Sequence, residues 1–212
     1  ACALGIAAWL IIGTTLDFLE RIGFPKRSMG EVFRRFLHLP RSAWGAATAH
    51  FALGVMVAGI TVSSFWQIER IQIMRSGDQI EVAGYTVLFD GAGQVEGPNY
   101  SALQGSFSVF KGEDRVTTLL PEKRSYPAEN SDTTEAAIHT NIYSDLYIVL
   151  GDADGKGGWA TRIYFNPLVP WIWVGAILMA IGGLLSLTDR RLRIGAPRRS
   201  ANTLNAALSQ DR

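Results

Sequence analysis

The stretch Trp44–Trp66, WGAATAHFALGVMVAGITVSSFW, decides how the rest of the chain is read. It runs for 23 residues without Asp, Glu, Lys or Arg. As a helix it reaches roughly 34 Å, enough for a bilayer core of about 30 Å. A buried helix of a water-soluble protein is the alternative, but length and lack of charge agree on membrane insertion. Trp44 and Trp66 bracket the run, and indole favours the interface, where its ring stays apolar and its N–H stays wet. Two more runs behave alike. Leu168–Leu187, LVPWIWVGAILMAIGGLLSL, is 20 uncharged residues with Trp171 and Trp173 near its start. Ala1–Leu16, ACALGIAAWLIIGTTL, is short for a span and has no basic leader. It reads as a truncated transmembrane helix, and the chain as the C-terminal piece of a longer membrane protein.

The charges around these runs set a topology. The 212 residues hold 20 Lys+Arg against 19 Asp+Glu, a near balance that hides segregation. Residues 17–41 carry six basic and three acidic side chains, 189–212 six and two, and 67–167 eight and fourteen. By the positive-inside rule the loop 17–41 and the tail 189–212 face the cytoplasm. The expected organisation is then a truncated helix 1–16, a cytoplasmic loop 17–41, a transmembrane helix 42–66, a periplasmic β-domain 67–167, a transmembrane helix 168–188 and a basic tail 189–212, disordered after Pro197. In a bacterium the other side is the periplasm and the membrane the inner one, with the lipid bilayer as partner. Large-scale nucleic-acid binding is excluded, because no segment collects enough cation to track phosphates. The single cysteine, Cys2, excludes a disulfide scaffold, a C-x-x-C-H haem-attachment site and a zinc cluster.

Within the loop 17–41, Ser28-Met29-Gly30-Glu31 fits a capping box. Val32, Phe33, Phe36 and Leu37 then share one helical face, with Arg34 and Arg35 opposite. This predicts a short helix lying on the membrane and ending before Pro40. The segment 67–167 has a β pattern. Strands are expected at Ile68–Arg75, Gln79–Phe89, Ala102–Phe110, Arg115–Leu120, Asp145–Leu150 and Trp159–Phe165. Turns are expected at Gly77-Asp78, Asp90–Gly93 and Gly151–Gly158. Residues 121–144 read as a long surface loop with a helical turn at Thr133–Ile138. The fold class is membrane α-helical, two to three transmembrane helices, with an inserted all-β extracytoplasmic domain: a small barrel or sandwich, oligomer-binding-fold-like.

Chemistry centres on His50. It stands inside an otherwise uncharged span, where an ionisable side chain is costly and signals function. Ala43, Ala47, Gly54 and Thr61 share its face at helical spacings, so a flat macrocycle could lie close to the backbone. A neutral imidazole can bind haem iron through one nitrogen while the other donates a hydrogen bond. The alternative is a packing histidine that hydrogen-bonds across to a neighbouring helix. The residues alone leave both open, and a bis-histidine site would need a second ligand from elsewhere. His38 reads as a headgroup contact and His139 as structural. Asp152-Ala153-Asp154-Gly155 lacks the later ligands of a calcium loop and reads as a turn. No catalytic set appears, and a transporter is disfavoured by spans that lack polar linings.

Several fragments, in order, carry a resemblance. Leu39-Pro40-Arg41-Ser42-Ala43-Trp44-Gly45 leads into Ala49-His50. Gly97-Pro98-Asn99-Tyr100 and Pro121-Glu122-Lys123-Arg124-Ser125-Tyr126 follow, then Thr134–Ile138 and Asp145-Leu146-Tyr147. Asn166–Trp173 and Asp189-Arg190-Arg191 close the series. With this membrane layout the chain resembles the C-terminal portion of the CcmF family, the haem-lyase subunit of the cytochrome c maturation pathway. The resemblance implies a haem lyase that attaches haem covalently to apocytochrome c in the periplasm. It implies an intramembrane haem b with His50 as one axial ligand, passing electrons from quinol to the haem being attached. Implied partners are the haem chaperone CcmE and the CcmH-type and CcmI-type subunits that present apocytochrome c. The family's tryptophan-rich external segment, its flanking histidines and the first transmembrane ligand have no match in these residues. No catalytic residue is therefore assigned here. The competing reading is a membrane-anchored β-domain that scaffolds an assembly without its own haem.

Overall fold

The computed structural model describes residues 2–128 and 130–189, so the tail beyond Asp189 lies outside the described residues. Among the described residues three helices are long and apolar enough to cross a membrane: α1 (Cys2–Ile22), α3 (Arg41–Trp66) and α4 (Val169–Leu187). The first extends beyond the apolar run, so Asp17–Arg21, expected as loop, is its last turn. Arg21 there pairs with Asp17 at 2.7 Å across one turn. The short helix α2 (Met29–His38) begins as its sequence dictates, with Ser28 Oγ accepting from the Glu31 N–H at 3.4 Å. Phe36 meets Phe18 of α1 at 6.2 Å and Trp44 of α3 at 4.7 Å, both edge-to-face. Those contacts dock α2 on the other helices, while Phe33 and Leu37 stay exposed.

Close backbone approach holds α3 and α4 together. A Cβ on Gly45 would sit 2.5 Å from the Gly182 carbonyl oxygen, and one on Gly175 would sit 2.9 Å from the Ala52 carbonyl oxygen. Gly45, Ala49, Ala52, Met56 and Gly59 recur at four- and three-residue steps and form the stripe that meets α4. Gly54 lies off this stripe and meets α1 at Ala7, Leu10 and Ile11 instead. At the far end of α4 the Asp189 carboxylate accepts from the Ser42 N–H at 3.0 Å. This caps the N-terminus of α3, where Pro40 has no side chain to do so.

Between α3 and α4 the described residues form ten strands in two sheets. They are β1 (Ile68–Met74), β2 (Gln79–Val82), β3 (Tyr85–Glu96), β4 (Ser101–Lys111), β5 (Asp114–Leu119), β6 (Glu122–Tyr126), β7 (Ser131–Glu135), β8 (Ala137–Thr140), β9 (Ser144–Ala153) and β10 (Trp159–Pro167). One sheet is ordered β1-β10-β9-β8, the other β2-β3-β4-β6-β7 with β5 also on β4. Of the two forms expected, this is a sandwich. Its core is Met74, Val82, Val87, Phe89, Phe107, Val109, Leu146, Ile148, Leu150 and Ile163, with Phe89 and Phe107 stacked at 4.8 Å. The first and last strands pair with each other, Ile68 opposite Phe165. Single residues, Gln67 and Leu168, join the sandwich to α3 and α4.

Several sequence expectations change. Gln79–Phe89 is not one strand but a hairpin, turning at Ala83-Gly84 with φ of 51° and 80°. Asp90–Gly93 is not a turn: it continues β3, with a bulge between Phe89 and Gly91. The expected loop 121–144 contains β6, β7 and β8, and Thr133–Ile138 is extended rather than helical. Pro121 explains why β5 and β6 split one edge of β4. It interrupts the edge strand, and its carbonyl accepts from the Gly105 N–H at 2.9 Å.

Candidate functional site

His50 lies on α3 about 14 Å along the axis from Arg41 and about 24 Å from Trp66. Its side chain is exposed on the lip of a groove of about 550 Å³ between α1 and α3. Ala43, Ala46 and Ala47 form the α3 wall, and Trp9, Leu10 and Gly13 form the α1 wall. At the end nearer α2 the groove reaches Asp17, Arg21 and Ser42. The small-residue face is thus divided: Ala43 and Ala47 line the groove, whereas Gly54 is used in packing α1.

The orientation of the imidazole follows from one hydrogen bond. His50 Nδ1 lies 2.8 Å from the Ala46 carbonyl oxygen. A carbonyl only accepts, so Nδ1 is the donor, which in a neutral ring leaves the lone pair on Nε2. That is the state a metal ligand requires. The bond runs within α3, not across to another helix.

The other two histidines do not join this groove. His38 ends α2, with Nδ1 2.7 Å from the Arg34 carbonyl oxygen. His139 lies on β8, paired in register with Leu146. Among the described residues no three His, Cys, Asp or Glu side chains converge as a metal site. Asp152-Ala153-Asp154-Gly155 ends β9 and opens a turn. Asp154 Oδ1 accepts from the N–H groups of Lys156 and Gly158, both at 2.7 Å, and these bonds hold its carboxyl below the usual carboxylate range. Asp152 pairs with Lys123, which lowers the acid and raises the amine.

Among its described residues the sandwich carries polar order. Glu122 bonds Arg124 at 2.7 Å and Gln104 at 2.6 Å, and these bonds hold its carboxyl low. The Arg124 guanidinium also covers the Tyr100 ring at 4.5 Å. On the outer face of the four-stranded sheet, Tyr147 and Tyr164 meet edge-to-face at 5.7 Å beside Arg162. Glu69 holds the Tyr164 phenol above its ordinary range.

Three membrane-capable helices, with a two-sheet sandwich inserted between the second and third of them, define a multi-pass membrane protein whose one groove histidine sits among the helices. The family model described as the CcmF C-terminal beta-sandwich matches residues 65–167. The chain is 46% identical over 92% of its length to the cytochrome c-type biogenesis protein CycK of Bradyrhizobium diazoefficiens, covering 30% of that protein. It is 42% identical over 98% of its length to the cytochrome c-type biogenesis protein ccl1 of Rhodobacter capsulatus, covering 31% of it. Against the cytochrome c-type biogenesis protein CcmF of Pseudomonas aeruginosa the identity is 39% over 95% of this chain and 30% of the other. A solved cytochrome c heme lyase CcmF superposes with a TM-score of 0.62 over 88% of this chain and 30% of that one. At 23% identity that likeness is one of fold. The chain belongs to the CcmF family and carries its C-terminal region, spanning about 30% of the length of these relatives.

Proposed function

We propose that this chain is part of a haem lyase that attaches haem covalently to apocytochrome c, and that His50 is one axial ligand of an intramembrane haem b. The observation that carries the reading is the His50 imidazole, held through Nδ1 by the Ala46 carbonyl with Nε2 left open on the groove. The groove suits an amphipathic macrocycle. Its α3 wall is alanine, which allows a flat ring close to the backbone, and Ser42, with the part of the Arg21 guanidinium that Asp17 leaves over, offers donors to propionates at one end. When bound, haem b supplies one-electron chemistry. The chain's own residues bind and orient: His50 ligates, Ala43, Ala46 and Ala47 leave space, and Trp9 and Leu10 exclude water. His38 and His139 do not line the groove, so in this reading a second ligand would come from another segment or a partner.

The basic loop after α1 faces the cytoplasm in this reading, which puts the sandwich in the periplasm of a bacterial inner membrane. There it stands near CcmE and the CcmH-type and CcmI-type subunits, with quinol as the source of electrons.

The test is a reduced-minus-oxidised spectrum of the intact membrane protein with His50→Ala and, separately, Ala46→Leu. Both variants are expected to insert normally. His50→Ala loses the b-type band, and Ala46→Leu, by filling the groove, lowers haem stoichiometry. A band unchanged in position and stoichiometry in His50→Ala rejects the ligand role and favours the scaffold reading.

A further inference from the structure

We infer that the turn between β8 and β9, with Ile142 and Tyr143 at its tip, is a wedge seated in the bilayer interface on the side where α3 ends and α4 begins. Exposed turns favour Gly, Asn, Asp and Ser. This one instead presents two large side chains, Ile142 at 64% exposure and Tyr143 at 68%. Ala136–Ser144 contains no Asp, Glu, Lys or Arg.

The height of the tip is set by hydrogen bonds to the start of α4. The Trp171 indole N–H donates to the Ile142 carbonyl oxygen at 2.8 Å. The Leu168 N–H donates to the Tyr143 carbonyl oxygen at 2.7 Å. The tip therefore lies level with the first turn of a membrane-capable helix, beside an indole of the kind that marks the interface. Phe65 and Trp66, which end α3, are exposed as well, so the apolar surface of the tip belongs to the belt around the helices.

The exposure is built rather than loose. Asn141 Oδ1 accepts from the N–H groups of Tyr143 at 2.7 Å and Ser144 at 2.9 Å. Asn141 Nδ2 donates to the Tyr85 hydroxyl at 3.0 Å and to Ser144 Oγ at 3.1 Å. A turn fixed at both ends and projecting apolar side chains at membrane level fits lipid: Ile142 toward the acyl chains, and Tyr143 with its ring apolar and its hydroxyl wet. The inference needs only that the helices cross a membrane, and it is independent of haem.

The test uses the full chain in phosphatidylcholine–phosphatidylglycerol vesicles, with Cys2 replaced by Ser. Single cysteines at Ile142→Cys, Tyr143→Cys and Lys156→Cys carry an environment-sensitive fluorophore. Lys156 is the control, because it follows β9 at the end of the sandwich about 30 Å from Ser144. Labels at 142 and 143 are expected to shift to the blue and to be quenched by lipids brominated near the headgroup, but little by aqueous iodide. The label at 156 shows the reverse. Iodide quenching at 142 and 143 equal to that at 156 places the tip in water and overturns the inference. Shielding from both quenchers shows a protein on the tip and overturns it too.

Discussion

The helices and the sandwich are stabilised in opposite ways. The sandwich closes on itself: Phe89, Phe107, Val109, Ile148 and Ile163 are almost fully buried between its sheets. The helices bury mainly small residues, with Ala7 beside Ile22 in α1, Gly45, Ala52, Gly54, Gly59 and Thr61 in α3, and Gly175 and Gly182 in α4. Their large apolar side chains, such as Ile12, Leu16, Ile60 and Ile177, point outward. The sandwich obeys the rule for water, where apolar area is removed into a core. The helices obey the rule for lipid, where tails are as apolar as leucine and association depends on close backbone fit.

That contrast can be broken by experiment. The largest effect expected is Phe107→Ala, which opens a cavity between the sheets and costs about 3–5 kcal/mol. Chemical denaturation followed by a sandwich-specific probe should record it, while crosslinking between α3 and α4 stays unchanged. Smaller is Gly182→Leu, which drives a side chain into Gly45 and Ala49 and costs about 1–3 kcal/mol. Here crosslinking between the helices should fall while the sandwich midpoint stays where it was. If either substitution moves the other region's readout, the two do not stand by separate rules. The smallest effect is electrostatic. The Asp154 carboxyl is held low in the folded state, so the stability it adds is present at neutral pH and is lost as pH falls through its folded value. Asp154→Asn should lower the neutral plateau by the small amount the ionised carboxylate adds and flatten the acid limb of the sandwich's stability curve below about pH 4.

The same contrast explains what could be read from sequence. A span announces itself by length and missing charge, so α3 and α4 were legible, and Ser28 with Glu31 announced α2. The inner strands β4, β9 and β10 were legible because a buried face demands apolar residues. Strands β6 and β7 were not, since EKRSY and SDTTE bury too little to impose a pattern. The Ala83-Gly84 hairpin was missed because alanine rarely takes a positive φ, so it carries no turn signal. In strand β1, Ile71 and Ile73 face outward, and only Ile68 of its isoleucines packs against the core. His50 was legible as an ionisable side chain in an apolar run. Its groove was not, because Trp9, Asp17 and Arg21 reach it only through packing of α1 on α3.

The two single-residue joints have a mechanical consequence. Gln67 and Leu168 leave no slack, and Leu168 is itself pinned, at φ 58°, by its bond to Tyr143. The paired strands β1 and β10 leave the membrane as direct prolongations of α3 and α4. The sandwich is thus a signpost welded to its pole. When α3 and α4 rock, it turns with them, so whatever meets its faces is presented at a fixed bearing to the groove that holds His50.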